Sequence, residues 1–130
     1  MYEHTERLLN ASARWLFDAT AESMPDDMRI AYAFIAGYNA IQAVQAPYPG
    51  PLDHHPLASI VTEGATLLGL SEGDLKLGLA LRQWEDWGRY HLEPSPVSVD
   101  GALAWARRVR DAALAQTAII KPDRTECTRK

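Results

Sequence analysis

Arg82, Asp86, Arg89, Tyr90 and His91 carry most of the chemistry that this sequence offers. They close the run SEGDLKLGLALRQWEDWGRYH, which begins at Ser71. Arg82 and Asp86 are four residues apart, and Asp86 and Arg89 three, so on a helix each pair shares a face and can form an ion pair. Arginines so placed can bind phosphate. The same residues can instead tie two helices together, because a charge set among Leu79, Leu81 and Trp84 is tolerated only when paired. That structural reading expects Arg82 to be substantially buried, with Asp86 or a carbonyl of another helix as its partner. Trp84 reads as core. Trp87 is placed either to cover a second helix, to sit at a subunit interface, or to stack on a base beside Arg89.

Other constellations are weaker. Asp53-His54-His55, with His91 elsewhere in the chain, has no HxxxH or HExxH spacing, and adjacent histidines rarely aim at one ion, so no metal is expected. There is no GxSxG, no glycine-rich phosphate loop and no Walker pattern, which leaves no catalytic residues and no cofactor to assign. Cys127 is the single cysteine and lies in a polar tail. No intrachain disulfide can form, which is consistent with a reducing compartment.

The chain has 130 residues and a net charge of −4, the size of one domain with its own core. An acidic total argues against general nucleic-acid binding, which rests on summed Lys and Arg contacts with phosphate. The charge is uneven, with Arg107, Arg108 and Arg110 forming a small basic cluster in the second half. The longest apolar stretch, residues 30–46, is interrupted by Tyr38, Asn39 and Gln42 and falls short of the ~20 residues a membrane span needs. The start MYEHTERLLN lacks the order of a signal peptide. A soluble, cytoplasmic protein without a membrane partner is expected.

Apolar residues recur at helical spacing and nowhere alternate with period two, so the expected fold is all-α. A first helix is expected over about 2–22, with Leu8, Leu9, Ala13, Leu16 and Thr20 as its inner stripe and Trp15 and Phe17 widening it. Ser23-Met24-Pro25-Asp26-Asp27 announces a second helix to about Gln45, apolar nearly all round and therefore central. APYPGPLDHHP, residues 46–56, excludes regular structure and reads as an ordered crossover loop. A shorter helix follows from Pro56. Ser71 caps the next, whose seam is Leu77, Leu81, Trp84, Gly88 and His91. Ser98 caps the last, over about 99–119, with Ala102, Leu103, Ala106, Val109, Ala113 and Thr117 inward and Trp105 off the stripe. The expectation is a single domain over 1–120, a bundle of four long antiparallel helices plus one short helix. Residues 121–130 read as a polar, frayed tail.

With these residues in view, the span from Pro25 to Ile119 resembles the HEPN domains (higher eukaryotes and prokaryotes nucleotide-binding). The resemblance lies in the helix RIAYAFIAGYNAIQAV, a histidine-bearing loop, a helix ending in LGL, the run RQWEDW (Arg82 to Trp87) and a closing Ala-rich helix. It implies a small helical bundle, commonly dimeric, of a kind found among ribonuclease toxins, nucleotidyltransferase partners and antiphage systems. Ribonuclease members carry an arginine and a polar residue followed a few positions later by a histidine. Arg82 and Gln83 match the start, whereas His91 comes too late for that window. The proton-transfer role therefore has no matched residue. The resemblance implies a non-catalytic interaction module, homodimeric, binding a protein partner or a nucleotide or RNA through Arg82 and its neighbours. The alternatives are an atypical metal-independent endoribonuclease using Arg82 with Asp86 or His91, and a structural or regulatory antitoxin-like partner.

Overall fold

In the computed structural model, which describes residues 3–45 and 57–129, and side chains as far as residue 118, five α-helices and one 3-10 turn form an all-α bundle. The helices are α1 (Glu3–Ala19), α2 (Asp26–Gln45), α3 (Ala58–Leu68), α4 (Glu72–Asp86) and α5 (Val99–Arg129), with the 3-10 turn Gly88–His91 after α4. The proline loop with its Asp53-His54-His55 motif lies outside the described residues.

Helices α1 and α2 form an antiparallel hairpin, and their hydrogen bonds show how they come so close. Thr5 Oγ1 donates to the Ala43 carbonyl at 3.0 Å and Ser12 Oγ to the Ala36 carbonyl at 2.7 Å. Arg29 Nε then donates to the Ala19 carbonyl at 2.9 Å. Seven residues forward on α1 thus correspond to seven back on α2 throughout, a heptad register. Small residues at the contact let the backbones approach. The buried hydroxyls are satisfied by carbonyls, as buried polar groups must be. This changes the expected inner stripe of α1. Thr5, Ser12 and Ala19 are buried with Leu8 and Leu9, while Thr20 is exposed and Phe17 is 76% exposed. Phe17 therefore does not widen the stripe. Trp15 does reach inward, against the Tyr32 ring at 4.9 Å between centroids.

As its composition implied, α2 is the central element, touching each of the other four helices. Trp105 on α5, expected off the inward stripe, is fully buried and stacks nearly parallel on Phe34 at 5.9 Å. Two glycines make its slot. A Cβ at Gly37 on α2 would collide with Trp105 Cζ3 and Cη2, and one at Gly78 on α4 would stand 3.0 Å from Cζ2. The residues predicted to face inward on α5 (Ala102, Leu103, Ala106, Val109, Ala113 and Thr117) are all buried. The indole fills the space that this small-residue face leaves against α2 and α4. Its Nε1–H donates to the Asp74 carbonyl at 3.0 Å, so it is both packed and satisfied.

Capping follows the sequence at two of three starts. Ser71 Oγ accepts from the Asp74 N–H and Ser98 Oγ from the Gly101 N–H. At α2 the Pro25 carbonyl opens the helix, and Asp27 Oδ1 accepts from the Met28 N–H. Helix α5 continues past the expected end at Ile119. No helix among the described residues is long and apolar enough to cross a membrane.

Candidate functional site

Helix α4 ends at Asp86, sooner than the seam from Leu77 to His91 implied, because the backbone turns at Trp87 (φ −135°, ψ −50°) into the 3-10 turn. Gly88 marks the break. A Cβ there would meet Trp84 Cδ1 at 3.1 Å, a tight contact that favours glycine beside the buried indole. The Trp84 Nε1–H donates to the Glu93 carbonyl at 3.0 Å and pins the returning chain against the end of α4. Leu81, Trp84 and Gly88 are buried as expected, but His91, carried round by the tighter turn, is exposed.

The five candidate residues consequently divide between two elements. Arg82 and Asp86 lie on α4, Arg82 half-buried and Asp86 exposed, and neither stands without a partner. Arg89, Tyr90 and His91 lie on the 3-10 turn. The Arg89 guanidinium is 3.9 Å from Glu85, one turn back, and donates to the Tyr90 hydroxyl at 2.9 Å while standing 4.8 Å from the centre of that ring. Glu85 thus supplies the ion pair for which the sequence offered Asp86. The His91 ring stacks on Trp87 at 3.8 Å with 18° between planes. Its Nδ1 is 2.9 Å from the Trp87 carbonyl, and a carbonyl only accepts, so Nδ1 carries a proton and donates it.

What this corner presents to solvent is mainly apolar. Trp87 is 51%, Tyr90 67% and Leu92 92% exposed. Leu92 is also the described non-glycine residue with positive φ, at 59°. It occupies the left-handed position of a Schellman turn, in which Glu93 N–H donates to the Gly88 carbonyl and Leu92 N–H to that of Arg89. The end of α3 makes the same turn with Gly69 at φ 65°, where no side chain is strained. Leucine in that conformation costs on the order of 1–2 kcal/mol, and at this exposure it recovers almost nothing by burial within the chain.

Beside this knuckle lies a cleft of about 200 Å³ lined by Trp84, Trp87, Pro94, Pro96 and Glu93, with no Lys or Arg among its described walls. The sequence singled out Trp87 and read Pro94 and Pro96 only as the end of the helix, and it gave Leu92 and Glu93 no role.

One member of the basic cluster is committed to an ion pair between helices. Arg108 is held by Asp74 through paired hydrogen bonds at 2.8–3.2 Å, joining α5 to the start of α4. That hydrogen bond, and then the charge of Asp74, hold the Arg108 pKa above its ordinary value. Arg107 is exposed and Arg110 half-buried, three residues apart on α5. Among the described residues, no three His, Cys, Asp or Glu side chains lie close enough to hold a metal ion. Comparison with protein-family models, with characterised proteins and with solved structures finds no match for this chain.

Proposed function

We propose that this chain is a non-catalytic, HEPN-like interaction module that binds a protein partner through the corner where α4 meets the 3-10 turn. The observation that carries this reading is the exposure of Trp87, Tyr90 and Leu92 together, with Leu92 held in a strained conformation that no intrachain burial offsets. Tryptophan and tyrosine are the side chains that most often anchor protein interfaces, and unoffset backbone strain is concentrated where function requires it. The family reading is supported by the placement of the Arg82 to Trp87 run at the end of one helix of an all-α bundle.

A protein partner is favoured over RNA by charge. Arg89 is paired with Glu85 at 3.9 Å, and the exposed Glu93 adds an acid to the same corner of the fold. Phosphate affinity needs cations in excess. Size argues against a homodimer through this corner alone. Three side chains of about 150–250 Å² each, half to nine-tenths exposed, offer roughly 400 Å², so two copies bury roughly 800 Å² where a stable pair needs about 1,200 Å² or more. Helix α2 offers little further surface for a dimer, since ten of its residues are buried within the bundle.

A triple variant, Trp87→Ser with Tyr90→Ser and Leu92→Ser, tests the reading. Side chains kept for a partner contribute little to the free fold, so its melting temperature should equal or exceed that of the wild type. A drop of more than about 8 °C would make the corner structural and favour the antitoxin-like scaffold. Cleavage of mixed single-stranded RNA by wild type, lost in Arg82→Ala with Asp86→Ala, would replace the proposal with the atypical ribonuclease.

A further inference from the structure

We infer that the cleft beside Trp87 is a docking site for a proline-rich segment of a partner protein, in polyproline II conformation and carrying a basic residue. This rests on the interaction reading above and specifies the partner's chemistry. The first argument is shape. At about 200 Å³ the cleft is somewhat larger than a cavity of ~150 Å³ that admits one benzene ring. It accepts one or two pyrrolidine rings, but nothing as thick as a helix, which is about 10 Å across. Strand addition is not available either, since no strand edge exists among the described residues. Of the usual modes of peptide recognition, this leaves the one that lays prolines between aromatic side chains.

The second argument is hydrogen bonding. A polyproline II segment has no internal hydrogen bonds, so its carbonyls seek outside donors. Trp84 cannot serve, because its Nε1–H is committed to the Glu93 carbonyl. The half-exposed Trp87 has no hydrogen bond to its Nε1–H among the described residues and borders both the cleft and the exposed face. The Tyr90 hydroxyl accepts from Arg89, which leaves its own proton to donate outward. Stacking on His91 fixes the Trp87 ring before any ligand arrives, so little side-chain freedom is lost on binding.

The third argument is charge. Glu93 is exposed, lines the cleft and has no ion pair among the described residues. A carboxylate at the rim, with no cation in the described walls, selects an arginine or lysine flanking the prolines and repels an acidic or phosphorylated ligand.

The experiment titrates the isotopically labelled protein with an oligoproline peptide of about ten residues ending in one arginine. The indole N–H resonances of the four tryptophans report binding. The Trp87 resonance, assigned from Trp87→Phe, should shift saturably with a dissociation constant in the range of roughly 10⁻⁴ M, as befits a small interface. Trp87→Ala should weaken binding at least ten-fold, and Glu93→Lys should reverse the preference to an oligoproline ending in glutamate. An equally long Gly–Ser peptide with the same arginine should leave the resonance unmoved. Absence of a shift at millimolar peptide, or an equal shift with the Gly–Ser peptide, overturns the proline inference. If the triple serine variant also keeps its melting temperature, the interaction reading survives that failure; if it melts early, both fall.

Discussion

Replacing Gly37 with alanine puts two opposed effects on one methyl group. In a helix interior alanine is favoured over glycine by about 1 kcal/mol, and Gly37 lies in the middle of α2, so propensity alone predicts a more stable protein. The added Cβ, however, would meet the six-membered ring of Trp105, with Cη2 at 2.7 Å where ordinary contacts begin near 3.4 Å. The ring has little room to withdraw, since Phe34 stacks on one face and the Gly78 position already stands 3.0 Å from Cζ2. Overpacking of this kind costs about 1–3 kcal/mol, and a ring gripped on several sides belongs at the upper end. The net expectation is a loss of about 2 kcal/mol. With an unfolding entropy of about 2.1 cal/mol/K per residue, 1 kcal/mol moves the melting temperature of a chain this size by about 4 °C, so Gly37→Ala should melt about 8 °C lower. Gly73→Ala is the control. Its nearest neighbour would be Ser71 Oγ at 3.8 Å, so propensity acts unopposed and the variant should melt up to 4 °C higher. Calorimetry on both variants decides the matter. A Gly37→Ala protein as stable as wild type would refute the two-glycine slot.

Three other perturbations read different parts of the structure. Ser12→Ala removes the hydrogen bond to the Ala36 carbonyl, and urea denaturation should show a loss of about 1 kcal/mol. The carbonyl keeps its helical partner, so the loss should go no further. Leu92→Gly exchanges a strained left-handed leucine for the residue that the turn prefers, and it should raise the melting temperature by about 2–4 °C, from a gain of 0.5–1 kcal/mol. An unchanged or lower value would mean that Leu92 packs in a way its exposure does not show. Arg108→Met breaks the pair with Asp74, whose arginine is 52% exposed, so solvent screening limits the loss to about 1 kcal/mol or less. The raised Arg108 pKa means that, wherever Asp74 is ionised, this contribution is fully present below arginine's ordinary pKa and is lost on the alkaline side only as pH rises through the folded value. Between pH 5 and 9 the wild-type minus variant difference should therefore stay flat.

Much of the architecture was legible because it depends on periodicity and punctuation. The apolar spacing gave an all-α bundle, the Ala-rich stretch gave its central helix, and Ser71 and Ser98 marked two helix starts that their hydroxyls do cap. What periodicity could not give was the identity of the contacts. Thr5 and Ser12 look like polar interruptions of an apolar stripe, yet they are the hydroxyls that hold α1 against α2. Trp105 looks peripheral because the residues around it are small. Those small residues, together with glycines on two other helices, are the reason that the largest side chain fits there. A stripe reports which side of a helix faces inward. It does not report how far away the next backbone will be.

The candidate site was harder to read for a related reason. Reading residues 71–91 as one helix placed Arg82, Asp86, Arg89 and His91 on a common scaffold, with ion pairs set by three- and four-residue spacing. The helix ends instead at Asp86, and from Gly88, packed closely against the buried Trp84, the chain continues as a 3-10 turn. Beyond the break His91 stacks on Trp87, Arg89 meets Glu85 and the Tyr90 hydroxyl, and Leu92 and Glu93 are exposed beside two prolines. Arg89 and Tyr90 among the polar residues that suggested chemistry are engaged with neighbours at this corner, although the buried Arg89 Nε keeps no hydrogen-bond partner among the described residues. The proposed peptide-binding role rests instead on the half-exposed Trp87, the strained Leu92 and the Glu93 carboxylate, which has no ion pair among the described residues and lines a small cleft with Pro94 and Pro96.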